Sequence, residues 1–402
     1  MNTLSPAERA AVDHVHTEPM REQVERWVAI NSGTRNLAGV AAMGAVLADA
    51  FAALPGDLAM VAAAPVEQID PAGALVSLDH APHLHLTVRA DAPVQMLFTG
   101  HMDTVYPVDH PFQAMRVLPD GAWNGPGAAD MKGGLAVMLA ALKAVEASPL
   151  ALRIGYAVVI GSDEETGSFS SAALLAKAAR GKVAALTYEP ALADGTLAGA
   201  RGGTGNFSLI VTGRSAHAGR NPDDGRNAVL AAADLALRLV RARRAGLSVN
   251  PARIEGGGPN NVVPDHAILR VNFRPADAAA IADAQKALDV AIAEVALEHD
   301  VRIALHGSFN RPPKPIDPAA EALFGLVKQA GADLGIPIAW RATGGVCDGN
   351  NIAACGVPVV DTMGVRGGAI HSPDEFMLPE SLAERAALSA VTILRIAERG
   401  RA

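Results

Sequence analysis

The apolar run "PVQMLFTG" breaks off at His101 and, two residues later, Asp103. An imidazole and a carboxylate so placed can share a proton, or one can hold a cation while the other braces it. A polar loop and a core histidine bonded to its neighbours are the plain alternatives, and the pair alone leaves all of these open. The same kind of ending recurs. Asp130 sits in the glycine-rich "NGPGAADMKGG", Asp163, Glu164 and Glu165 close "RIGYAVVIGSDEE", Glu189 ends "VAALTYEP", and His371 stands in "GGAIHSPDEF". Singly, Asp130 could cap a helix, the Glu164–Glu165 pair could be a solvated loop, and His371 a surface residue. Jointly, two adjacent carboxylates at the end of a strand repel one another unless cations or separate roles are available. Two imidazoles and three carboxylates suit a pair of zinc-like divalent ions, one nitrogen and one terminal carboxylate each, with the third carboxylate bridging. A glutamate left over beside such ions is the usual general base.

The elements that must position these residues alternate. The three apolar runs read as strands, and "LAVMLAALKAVEA" between the first two as a helix, the rhythm of an α/β fold with a mainly parallel sheet covered on both faces. Ligand sites in such sheets gather beyond the carboxyl ends of the strands. From 203 to 311 the order becomes strand, helix, strand, strand, helix, strand, a ferredoxin-like α+β pattern. The proline-rich "NRPPKPIDP" follows it, and the α/β rhythm then resumes. The expected architecture is a discontinuous domain, 1–202 and 312–402, interrupted by an inserted unit at 203–311.

The chain has 402 residues, half of them apolar and a formal charge of -8, which argues for a globular two-domain protein and against a nucleic-acid partner. "RARR" at Arg241 to Arg244 closes a helical pattern, where cations suit the helix dipole. Neither a membrane span nor a signal peptide is visible, so a cytoplasmic protein is expected. Cys347 and Cys355 do not have the spacing of a thiolate zinc site or a disulfide framework. There is no P-loop, H-E-x-x-H or G-x-S-x-G, and "GPGAAD" lacks the third glycine of a dinucleotide fingerprint. His80, His83 and His85 in "HAPHLHLTV" alternate with leucines, which reads as one polar and one apolar strand face.

The segments "GHMDTVYP", "GPGAADMKGG", "DEETGS", "YEP", "SAHAGRNPDDGRNA", "NNVVP", "FRP", "TGGVCDGNN" and "IHSPDEF" together resemble, in order, the M20 metallopeptidases, and among them the glutamate carboxypeptidase branch. The resemblance implies a zinc-hydrolase catalytic domain with an inserted lid and dimerisation domain. It implies two Zn2+ ions, with Co2+ or Mn2+ as substitutes. His101 and Glu189 would hold one, Glu165 and His371 the other, and Asp130 would bridge them. Asp103 would bond the free nitrogen of His101, and Glu164 would be the general base acting on a water between the ions. The bond between Asp130 and Met131 becomes a candidate for cis geometry. His217 would donate to the tetrahedral oxyanion from a partner subunit of a homodimer. Asn261 and Arg274, with Arg341 as a further candidate, would bind the free C-terminal carboxylate of a small-molecule or short-peptide substrate. The activity implied is cleavage of peptidyl or N-acyl amino acids with release of a C-terminal amino acid. An acetylornithine or N-acyl-amino-acid deacylase would share every ligand, and a non-catalytic metal-binding regulatory protein is the rival of another class. Cys347 departs from the family, which often has threonine or serine before the aspartate that is Asp348 here.

Overall fold

The apolar runs pair into a six-stranded sheet. In the computed structural model, which describes residues 4–401, the strand order is Asp57–Val61, His83–Val88, Ile154–Gly161, Val94–His101, Ala184–Thr187, Val359–Val360. The last four are mutually parallel, and the two remaining pairings are antiparallel. Parallel strands are covered on both faces and so carry continuous apolar runs; all eight residues of Ile154–Gly161 are buried. Because side chains alternate along a strand, Met96 and Phe98 enter one core while Leu97 joins Leu175, Ala179 and Ile352 on the opposite face. The helix Gly133–Glu146 is buried from Gly133 through Leu142. It packs under the helices Ser381–Arg399 and Pro6–Val15, and burying each of its leucines contributes roughly 1.5–3 kcal/mol.

A second core is built from Thr204–Thr212, Ala228–Val240, Leu247–Gly256, His266–Pro275, Ala278–His299 and Arg302–Arg311. Its sheet order is Leu247–Gly256, His266–Pro275, Thr204–Thr212, Arg302–Arg311, antiparallel throughout. The first and third strands are central, which is the ferredoxin-like arrangement. Leu235 and Leu239 of one helix and Ala284, Leu288 and Val295 of the other cover one face. The first helix ends at Val240. Arg241 is its C-cap, and the rest of "RARR" turns away beyond it, with Arg243 Nε donating to Val249 O at 2.6 Å. A hairpin, Val66–Ile69 with Leu75–Leu78, is tied to this sheet by Arg270, whose Nη2 donates to Ile69 O at 2.9 Å. Among the described residues no helix is long and apolar enough to cross a membrane.

Candidate metal centre

Three neighbouring parallel strands run to the same edge: His101 pairs with Gly161, and the third strand ends two residues earlier, Thr187 opposite Thr99. The residues at and just beyond these ends, His101, Glu164, Glu165 and Glu189, therefore emerge together at the carboxyl edge of the sheet. Asp130 comes from the irregular turn Ala128–Lys132, entered at Gly127 with φ +73°, a conformation that glycine adopts without strain. Gly134 lets the following helix start against the strand leading to Glu189; a Cβ there would lie 2.0 Å from Tyr188 O. The Asp130–Met131 peptide bond is cis. His371 arrives on the loop between Arg366–Gly368 and Phe376–Met377.

The two oxygens of Asp130 face different imidazoles. His101 Nε2 lies 3.1 Å from Asp130 Oδ1 and 3.8 Å from Glu189 Oε1. His371 Nε2 lies 3.2 Å from Asp130 Oδ2 and 3.2 Å from Glu165 Oε2. Donors bound tetrahedrally at about 2.0–2.1 Å stand about 3.3 Å apart, so these separations fit a zinc-sized ion. The charges fit as well. Burial alone would lower the pKa of His101, but the neighbouring carboxylates of Asp103, Asp130 and Glu189 hold it well above its ordinary range. Hydrogen bonds to Asp130 and Glu165 push His371 up to about 11. Burial raises Glu165, with Asp130 adding to the effect, and raises Glu189. Glu164 is pushed up to about 7 by burial, against the pull of Arg311. Four buried carboxylates thus crowd two imidazoles, a surplus of negative charge that two divalent cations would offset.

Asp103 holds more than one neighbour. Its main-chain carbonyl accepts from His101 Nδ1 at 2.9 Å, while its carboxylate lies 3.5 Å from the same nitrogen. The carboxylate accepts instead from Thr34 Oγ1 at 2.7 Å and from the backbone N–H groups of Glu164 and Glu165, both at 3.2 Å. These donors compete with the imidazole, so Asp103 orients the turn that carries both glutamates as well as the ring. Asp163 supports the same turn from behind, accepting Ser170 N–H at 2.6 Å. His83 is buried, accepting from Ser162 N–H at 3.2 Å with Ser170 Oγ 3.3 Å from its other nitrogen. It braces this loop and does not stand on a solvated strand face.

Glu375 has no assigned role in the sequence reading, although it lies within "IHSPDEF". It is fully buried and accepts the N–H groups of Ala129 and Asp130 at 3.0 Å, that of Gly127 at 3.1 Å and the Tyr106 hydroxyl at 2.8 Å. Burial, with Asp130 nearby, pushes its carboxyl up to about 7. Its placement four residues after His371 and the acceptor needs of the "GPGAAD" turn were the only signals. Glu375→Ala is expected to weaken metal affinity about 10–100-fold, as loss of such supporting groups does; equilibrium dialysis against Zn2+ measures it, and unchanged affinity refutes the role.

The site opens into a cleft of about 270 Å³ lined by Asp130, Glu164, Glu189, Arg341, Cys347 and His371 among others. Arg341 is exposed at its mouth. Cys347 is buried, accepts from Gly349 N–H at 3.4 Å and so caps the helix Asp348–Ala354. Its Sγ also lies 3.6 Å from Asp361 Oδ2, a carboxylate held by Arg201 at 2.7 Å and Lys314 at 3.2 Å. His217 and Asn261 are exposed and do not line the cleft; His217 Nδ1 accepts from Gly219 N–H at 3.1 Å. Arg274 lines a neighbouring cleft of about 860 Å³ with Arg243 and Arg244.

Residues 97–395 match the family described as Peptidase family M20/M25/M40. Carboxypeptidase G2 of Pseudomonas sp. (strain RS-16) is 33% identical over 287 residues, 69% of this chain and 68% of that protein. Succinyl-diaminopimelate desuccinylase of Janthinobacterium sp. (strain Marseille) is 28% identical over 302 residues, covering 70% of this chain and 78% of that one. The crystal structure of a tripeptidase from Staphylococcus aureus superposes with a TM-score of 0.71 at 24% identity, covering 94% of this chain and 98% of its own. The chain therefore belongs to peptidase family M20/M25/M40 and is an enzyme of its metallopeptidase and amidohydrolase type.

Proposed function

We propose that the protein is a dizinc carboxypeptidase that cleaves the amide of a peptidyl or N-acyl amino acid and releases a C-terminal, glutamate-like residue. The observation that carries this reading is Asp130, whose two oxygens face His101 and His371 with Glu164 buried alongside. On this reading His101 and Glu189 would hold one ion and Glu165 and His371 the other, with Asp130 shared between them; Co2+ or Mn2+ would substitute for Zn2+. When bound, the ions lower the pKa of water and polarise the scissile carbonyl. Glu164 takes the proton of the attacking water on its carboxylate and delivers it to the leaving amine nitrogen. Asp103 holds the His101 ring in orientation through Nδ1. Arg341, at the mouth of the cleft, offers a fork for the substrate carboxylate, with Asn261 and Arg274 as further contacts. His217 would donate to the oxyanion from the second subunit of a homodimer formed through residues 203–311. Leu230, Leu237 and Leu297 stand exposed on that unit's helices, apolar side chains that a second copy would cover. We place the enzyme in the cytoplasm.

Membership of an enzyme family removes the support for a non-catalytic metal-binding role. The similarity to a desuccinylase favours a second reading, a deacylase of N-acyl amino acids with the same ligands. A panel of amides separates the two. The carboxypeptidase reading expects turnover of several acyl or peptidyl groups attached to glutamate, abolished by chelator. A requirement for one small acyl group, whatever the amino acid, would sink it in favour of the deacylase.

A further inference from the structure

Arg311 is the last residue of the strand Arg302–Arg311 and so belongs to the second core, yet its guanidinium reaches into the metal centre. Its side chain is 6% exposed, and Nη2 lies 2.7 Å from Glu164 Oε1. The same nitrogen donates to Glu164 O at 2.9 Å and to Ser168 Oγ at 2.7 Å, and lies 3.7 Å from Asp348 Oδ1. The preceding residue adds a second hold, with Asn310 Nδ2 donating to Gly167 O at 3.0 Å. The end of one strand thus clasps the whole 164–168 turn, and Arg311 grips both the side chain and the carbonyl of a single glutamate.

We propose that Arg311 is a positioning residue for Glu164: it fixes the carboxylate at the mouth of the site, and through it the inserted unit sets where the base stands. This rests on the reading of Glu164 as the general base. A glutamate has three side-chain torsions, and proton transfer requires its oxygen within hydrogen-bond reach of the attacking water, so a carboxylate free to rotate is a weaker base in rate terms. The guanidinium suits the task because it is always charged and reaches far enough for Nη2 to meet both the side chain and the carbonyl of Glu164. A lysine keeps the charge, but its shorter, flexible stem would not place the ammonium where Nη2 stands against Glu164 and Ser168. Arg311 is also already engaged with three acceptors, which sets it apart from Arg341, whose guanidinium stands exposed at the cleft.

The test compares Arg311→Lys and Arg311→Met with the wild-type metal-loaded enzyme on its best amide substrate. Positioning predicts that kcat falls about 10–100-fold in Arg311→Lys while KM changes less than about threefold, since the loss falls on the transition state. Guanidinium ion in millimolar amounts is expected to restore part of kcat to Arg311→Met. Bound metal, measured by mass spectrometry, should be unchanged in both. A rise in KM at constant kcat would overturn the proposal and make Arg311 a substrate anchor; unchanged kinetics would overturn it outright. Crystal structures of wild type and Arg311→Lys supply the readout that does not depend on turnover. A displaced or multiply placed Glu164 carboxylate supports the proposal, and an undisturbed one refutes it. If wild type hydrolyses no amide in the panel, the functional reading fails while the crystallographic comparison still decides the role of Arg311.

Discussion

Glu164→Ala is expected to lower kcat for amide hydrolysis by about two to four orders of magnitude, the range in which a positioned general base contributes, with metal content unchanged. The reason is local. Glu164 lies beside the ligand cluster with Arg311 Nη2 2.7 Å from its Oε1, and the backbone hydrogen bonds of its turn to Asp103 and Arg311 remain available to an alanine. Its acidity supplies a second readout. Burial, against the pull of Arg311, pushes its carboxyl up to about 7, and the base form predominates only above its pKa. The rate should therefore rise with pH through the titration of Glu164 and be lost below it. Neighbouring divalent ions favour the charged form, which moves the midpoint of the loaded enzyme below 7. A kcat–pH profile of wild type should show this acid limb, and the residual activity of Glu164→Ala should lack it. An undiminished rate in the variant at equal metal content would remove Glu164 from the mechanism.

Asp130→Ala is expected to reduce activity to background and to lower bound metal at both positions, because each of its oxygens faces a different imidazole. His101→Ala, in contrast, should affect one position first. Stability follows the metal. An ion present at 1,000 times its dissociation constant stabilises the folded chain by about 4 kcal/mol, and without it the buried carboxylates Glu164, Glu165 and Glu189 repel one another. Chelation of wild type should therefore lower its unfolding midpoint, while Asp130→Ala should start lower and respond little to chelator. Two equivalents of metal retained by Asp130→Ala in mass spectrometry would exclude the bridging role.

Which parts of this site could be read from the chain depended on how far apart the partners lie in sequence. His101, Asp130, Glu165, Glu189 and His371 each end a strand or interrupt a glycine-rich turn, so their residue types at those places stood out, and the structure brings all five together. The ferredoxin-like order of residues 204–311 was legible for a similar reason, since helical and alternating apolar periods switch cleanly there. Glu375 and Arg311 were not. Glu375 serves the N–H groups of Gly127, Ala129 and Asp130, and Arg311 serves Glu164; although Glu375 stands in "IHSPDEF", the acceptor and donor needs that both residues meet arise only when distant segments meet. Arg311 was further masked by the prolines around it in "NRPPKP", which signal a boundary. Asp103 illustrates a subtler limit. Its proximity to His101 was plain, but the competition between the imidazole and the N–H groups of Glu164 and Glu165 depends on how the strand Ile154–Gly161 ends.

The fixed register of the strands Val94–His101, Ile154–Gly161 and Ala184–Thr187 has one more consequence. Adjacent strands repeat at about 4.7–4.9 Å, so the ligands they deliver inherit their pitch from backbone hydrogen bonding, as graduations inherit theirs from a ruler. A slip of one residue in the central strand would turn His101 to the opposite face of the sheet and no side-chain adjustment could recover it. The spacing of the candidate ligands is thus set by the sheet, and the same pairing that buries the core also calibrates the site.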